Sequence, residues 1–170
     1  AIADDAGRTV TPGGHHLHQV THIGSTAVPG LPAKDLIDLM LAVGTLDEAD
    51  RLAGRLAEAG FPARDGEWAD NARGIPGKTW PKRLHGSADP ARSVNLHVRV
   101  AGSPGWRFAL LMRDHLRAVP EALAGYAAAK KEWVARHQDL SGYAEAKEPW
   151  FDAEAEAAEA WARATGWHPS

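Results

Sequence analysis

Cysteine is absent from the 170 residues. That excludes disulfides, zinc–thiolate sites and cysteine nucleophiles. No apolar run is long enough to span a bilayer. No signal-peptide pattern opens the chain, so a cytoplasmic protein with no membrane partner is expected. The first residue is Ala1 rather than Met, as in an excised domain. Nothing reads Gly-x-x-x-x-Gly-Lys-Ser/Thr, so the chain alone is not expected to be a kinase. Nothing reads Gly-x-Ser-x-Gly, which makes Ser25 a poor hydrolase nucleophile. Internal repeats and low-complexity blocks are also missing. Charge of one sign is not in excess: 19 basic against 22 acidic residues leave a net charge of −3. Such a balance gives no bulk attraction to nucleic acid or anionic membrane.

What is present suits one soluble domain with a real core. The chain turns on residues 22–41, His-Ile-Gly-Ser-Thr-Ala-Val-Pro-Gly-Leu-Pro-Ala-Lys followed by an apolar run from Leu36. Gly24 lets backbone approach a ligand closely. The following amides, with the Ser25 and Thr26 hydroxyls, can make a donor-lined nest for an anion. Lys34 adds a point charge. Ile37 to Val43 reads as a strand buried on both faces. Asp38 inside it needs pairing, hydrogen bonds or a metal. It would either hold a divalent cation such as Mg²⁺ or cap loop amides. Alternate strand residues share a face, and two positions on stands Met40, a poor ligand for Mg²⁺. The acidic pair that two-metal chemistry requires is therefore incomplete.

Around this stretch the chain reads as α/β. Residues 1–17 are a flexible lead-in, and residues 18–168 form the domain. His15, His16 and His18 have metal-ligand spacing, or else simply begin an exposed strand. His18 to Ile23 is the first strand. Thr45 to Gly60 is a helix, with Thr45 and Glu48 as capping box and Gly60 as stop. Residues 61–77 look irregular and would be a lid or a solvated insertion. Thr79 to Ala88 and Ser93 to Val100 form a hairpin around Asp89-Pro90-Ala91-Arg92. Alternation puts Val94, Leu96, Val98 and Val100 on one face, with Asn95, His97 and Arg99 on the other. Arg83 and His85 alternate with Leu84 in the same way. Antiparallel pairing is then expected to collect Arg83, His85, Asn95, His97 and Arg99 on one phosphate-binding face. Trp80 either stacks on a ring or packs inside. His97 would join Asp38 as a metal ligand or serve as a neutral hydrogen-bonding group. Ser103-Pro104 opens a helix to about Val119, Pro120 opens the next, and Ser141-Gly142-Tyr143 ends it. A final helix begins at Glu148-Pro149, with Lys147 before its N-terminus as a phosphate contact.

The strings His22 to Lys34, Ile37-Asp38, Lys82-Arg83-Leu84-His85, Asn95-Leu96-His97-Val98-Arg99, Arg113-Asp114 and Ala146 to Phe151 resemble the GrpB family from about His22 onward. The resemblance implies a nucleotidyltransferase-like fold, a mixed β-sheet flanked by helices in a single domain. It also implies the domain type found C-terminal to dephospho-CoA kinase in actinobacteria, with a role in folding or support of that partner and so in coenzyme A biosynthesis. Active nucleotidyltransferases follow Gly-Ser with Asp-x-Asp or Asp-x-Glu, which Met40 interrupts. A histidine strand stands where those enzymes usually place a third acid. Asp35, Glu67 and Asp70 are the acids nearby in sequence. The expected function is an accessory domain binding a nucleotide or other phosphorylated small molecule. The alternatives are a divergent metal-dependent nucleotidyltransferase and a purely structural interaction domain. Arg113-Asp114 is expected to be an ion pair holding its helix to the sheet.

Overall fold

A computed structural model describes residues 2–3, 9–10, 19–32, 35–136 and 140–170. Two short strands come first, β1 (Ile2–Ala3) and β2 (Thr9–Val10), paired antiparallel. The expected histidine site at His15, His16 and His18 lies outside the described residues, as does Lys34. The main sheet starts with β3 (Val20–Ile23), followed by one 3-10 turn at Ser25–Ala27 and then β4 (Ile37–Val43).

Helix α1 (Leu46–Glu58) begins as its sequence dictates. The Thr45 hydroxyl accepts from the Glu48 amide at 3.1 Å, and the Glu48 carboxylate accepts from the Gly44 amide at 2.6 Å. It ends in a Schellman motif. Gly60 takes φ 90°, the Phe61 amide donates to the Leu56 carbonyl, and the Gly60 amide donates to Ala57.

The stretch expected to be irregular contains β5 (Trp68–Asn71), which pairs antiparallel with β6 (Thr79–Gly86). Its sequence, Trp-Ala-Asp-Asn, ends in two residues that strands disfavour, so propensity hides it. Strand β7 (Val94–Val100) then completes a mixed sheet of order β3-β4-β7-β6-β5, in which β4 and β7 run parallel. The turn is as expected: the Arg92 amide donates to the Asp89 carbonyl, and the Asp89 carboxylate accepts from the Ala91 amide.

Helix α2 (Pro104–Ala118) is capped by Ser103, whose hydroxyl accepts from the Trp106 amide. Helices α3 (Pro120–Arg136) and α4 (Leu140–Thr165) follow. The boundary expected at Glu148-Pro149 is not a boundary: α4 starts earlier and carries Pro149 inside it. Lys147 accordingly sits within a helix rather than ahead of one.

The two sheet faces have different partners. Leu41, Val43, Leu96 and Val98 pack with Ala49, Leu52 and Leu56 of α1. On the other face Met40 and Ile23 pack with Leu110 of α2. Tyr126 and Trp133 of α3 join Leu116 of α2, with Trp150 and Phe151 of α4 packed against them. The result is a single α/β domain, with one helix on one face and three on the other among the described residues.

Candidate functional site

Between the sheet and the three-helix layer lies a cavity of about 490 Å³. Its floor is the sheet face that faces α2, and the turn after β3 forms one rim. Gly24 there has φ 70°, a conformation that favours glycine. A Cβ at this position would lie 2.7 Å from Asp38 Oδ2. Gly24 and Ser25 both line the cavity. The Thr26 hydroxyl instead bonds His22 Nε2 at 2.8 Å. Arg117 of α2 donates two hydrogen bonds to the Ala27 carbonyl, which fastens the turn to the helical layer.

Asp38 stands at the centre of the floor. Its Oδ1 accepts from Asn95 Nδ2 at 3.3 Å and from His97 Nε2 at 3.2 Å. Burial pushes the Asp38 pKa up, but the His97 and Asn95 hydrogen bonds and the neighbouring Lys147 charge hold it below the ordinary carboxylate value. Burial, with Arg99 and Lys82 close by, pushes the His97 pKa below its ordinary value, against the pull of Asp38. His97 is therefore neutral at pH 7. An ionised carboxylate only accepts, so the single imidazole proton sits on Nε2 and points at Asp38. His97 thus spends its donor on Asp38 and offers none to an anion.

A second cluster lies beside the first. Asp70 of β5 accepts from Lys82 at 2.5 Å and from Arg99 Nη2 at 2.8 Å. Burial raises its pKa, but the two cations prevail and lower it. Burial dominates at Lys82 and lowers its pKa despite Asp70. Arg99 is only 6% exposed, and its Nη1 is buried without a hydrogen-bond partner among the described residues.

Arg73, in the loop after β5, closes the outer side. Its Nη1 donates to Glu148 of α4 at 2.8 Å and to Asp152 at 3.3 Å. Its guanidinium also lies over Phe108 and Phe151, 5.2 and 5.5 Å from their centroids.

Of the residues expected to meet, Gly24, Ser25, Asp38, Asn95, His97 and Arg99 share this cavity. Arg83 and His85 do not. In the observed register Arg83 pairs with Val98 and Leu84 with His97, so Arg83 and His85 point to the α1 face. Arg83 makes a bidentate ion pair with Asp50 of α1, and His85 Nδ1 bonds the Phe61 carbonyl. The cation that takes the place expected for Arg83 is its neighbour Lys82. Alternation within β6 was enough to group Lys82 with Leu84; the missing information was which of these sets faces Asn95. Asp70 and Trp68 reach the cavity through the unrecognised strand β5. Trp80 packs against Phe108, with ring centroids 5.8 Å apart. The Arg113–Asp114 ion pair exists at 2.6 Å, but it secures the chain's end rather than the sheet: Arg113 donates to the Ser170 carbonyl, and Asp114 accepts from the Trp167 indole.

The donor set does not fit a magnesium pair. Met40, 1% exposed, occupies the position of a second carboxylate, and Asp70 is taken by two cations. Among the described residues no three His, Asp or Glu side chains converge as a metal shell. The cavity suits anions better. Among the described residues it is lined by Arg73, Lys82, Arg99, Arg113 and Lys147 with Asp38, Asp70 and Glu148, while Arg113 is also paired with Asp114 and Arg73 with Asp152 behind the lining.

Comparison with known proteins gives a consistent picture. The family model described as GrpB protein matches residues 5–156. The dephospho-CoA kinase of Mycolicibacterium paratuberculosis is 42% identical over 95% of this chain, and that of Mycobacterium tuberculosis H37Rv is 43% identical over 92%. The chain spans 44% and 42% of those two proteins. The UPF0157 protein YqkA of Bacillus subtilis is 30% identical over 74% of the chain and 34% of its own length. In structure, the conserved protein GrpB from Enterococcus faecalis superposes with a TM-score of 0.62 at 24% identity, over 84% of this chain and 81% of that one. Among the described residues, no helix is long and apolar enough to cross a membrane.

Proposed function

The chain belongs to the GrpB family, and we propose that its cavity binds a phosphorylated small molecule or nucleotide without catalysing a reaction. The observation that carries this reading is the buried Arg99, whose Nη1 has no hydrogen-bond partner among the described residues. An unmet buried donor costs about 1–3 kcal/mol. A phosphate oxygen that reaches it, after the guanidinium turns toward the cavity that Arg99 lines, would remove that cost. Lys82 would share the phosphate with Arg99 as a point charge, and Asp70 holds both side chains in place until it arrives. Asp38, ionised and held by Asn95 and His97, orients the floor.

The test is calorimetry with ATP, CoA and dephospho-CoA. Saturable heat is expected for at least one of them, and its loss in Arg99→Gln. No heat from any at millimolar ligand would leave a structural interaction domain as the better reading. The divergent nucleotidyltransferase, whose fold the family resemblance implies, needs a second acid beside Asp38. Labelled nucleotide triphosphate with Mg²⁺ or Mn²⁺ decides it: a product that vanishes in Asp38→Ala overturns the non-catalytic reading.

Relatives that this chain matches over 44% and 42% of their length carry the name dephospho-CoA kinase, which supports reading this kind of domain beside a kinase. We read the chain as the accessory part of such an arrangement, supporting folding of a kinase partner. The full-length gene product tests this. A P-loop domain on the same polypeptide supports it, and a product lacking one overturns the covalent linkage.

A further inference from the structure

Among the described residues five aromatic side chains line the cavity, and four of them are part of its packed wall. Trp80 rests on Phe108, Phe108 on Phe151, and Phe151 on Tyr126, with centroid separations of 5.8, 6.4 and 5.6 Å. Trp68 is different. It lines the same cavity but is 38% exposed, one of the few large apolar side chains left open to water. Its indole nitrogen donates to the Arg64 carbonyl at 3.4 Å, which fixes one edge of the ring.

Its position in the sheet is specific. Trp68 pairs directly with Lys82, so both side chains leave the sheet on the cavity face. Directly opposed cross-strand residues have Cβ atoms about 4.5–5.5 Å apart. Asp70, two residues along β5, brings Lys82 and Arg99 together at the anion position. An anion site and an open aromatic platform therefore lie next to each other. Exposing an indole is unfavourable by itself, and stacking a planar ring on it removes that surface from water.

We propose that Trp68 is a specificity-determining residue which stacks on a planar ring of the ligand, so that the cavity takes phosphorylated molecules carrying such a ring, nucleotides among them, in preference to sugar phosphates. This rests on the anion-binding reading above and adds to it the second half of the ligand. The phosphate lies against Arg99 and Lys82, and the ring lies toward the mouth on Trp68.

The experiment titrates AMP and ribose 5-phosphate, which differ only in the ring, into the protein and its Trp68→Ala, Trp68→Phe and Arg99→Gln variants. AMP is expected to bind more tightly than ribose 5-phosphate. Trp68→Ala should weaken AMP about tenfold, the scale of one base–aromatic stack, and leave ribose 5-phosphate unchanged. Trp68→Phe should recover most of the loss. Arg99→Gln should abolish measurable binding of both ligands alike. Equal binding of the two ligands, or a Trp68→Ala variant that loses both equally, overturns the proposal while the phosphate site stands. Failure of both ligands to bind overturns the phosphate site as well.

Discussion

At Gly24 the backbone takes φ 70°, and a methyl group there would lie 2.7 Å from the Asp38 carboxylate. Gly24→Ala is expected to destabilise the fold by about 1–3 kcal/mol, from backbone strain and the clash together; urea denaturation measures it. The requirement for a close approach at Gly24 was legible in the sequence, but the group that approaches is the protein's own Asp38. The pH response also belongs to single residues. The folded pKa of His97 is lowered, so its stabilising contribution is complete above the unfolded value, about 6.5, and is lost as pH falls toward the folded value. Asp38 and Asp70, also lowered, add losses that begin only near the ordinary carboxylate range. Stability is thus expected to fall between pH 7 and 5 through His97, and further below pH 4 through the carboxylates. Denaturation midpoints at pH 7 and 5 check this. His97→Gln, which cannot titrate, should flatten the upper part of the curve.

Among the elements, α1 and β5 show opposite degrees of legibility. Thr45, Glu48 and Gly60 announce both ends of α1, because capping is local chemistry. Thr45→Ala should cost about 1 kcal/mol, seen as a lower urea midpoint with unchanged slope. Strand β5 has no such local signal. It exists because β6 offers it an edge and because its side chains find partners far along the chain. Asn71 and Arg73 reach Glu148 of α4, and Asp70 reaches Lys82 and Arg99. Cutting that tether with Arg73→Ala should weaken the structure by about 1–3 kcal/mol, since it strips a partner from Glu148 in a half-buried setting. Hydrogen exchange should rise in residues 71–78 before it rises in β4 or β7. The start of α4 is hidden for a related reason: Pro149 reads as a first-turn residue, yet the neighbouring Trp150 and Phe151 pack against two clusters of the helical core.

For the whole molecule, the register between β6 and β7 sorts the basic residues. Arg99 and Lys82 go to the cavity, while Arg83, adjacent in sequence, goes to α1. Arg83→Ala is therefore expected to leave phosphate-ligand affinity unchanged in the calorimetric titration that Arg99→Gln abolishes. A loss in Arg83→Ala with binding retained in Arg99→Gln would place the ligand on the α1 face instead. The sequence by itself determined the α/β class, the family, most strands and helices, and the grouping of Asn95, His97 and Arg99, because alternation and capping depend on neighbours a few residues away. Only the tertiary structure decided that Lys82 and not Arg83 faces them, that Asp70 and Trp68 join the site, and that His97 donates its hydrogen bond to Asp38. Strand parity across a seven-residue connection, and contacts between residues tens of positions apart, are set by packing the whole chain at once, which no local pattern records.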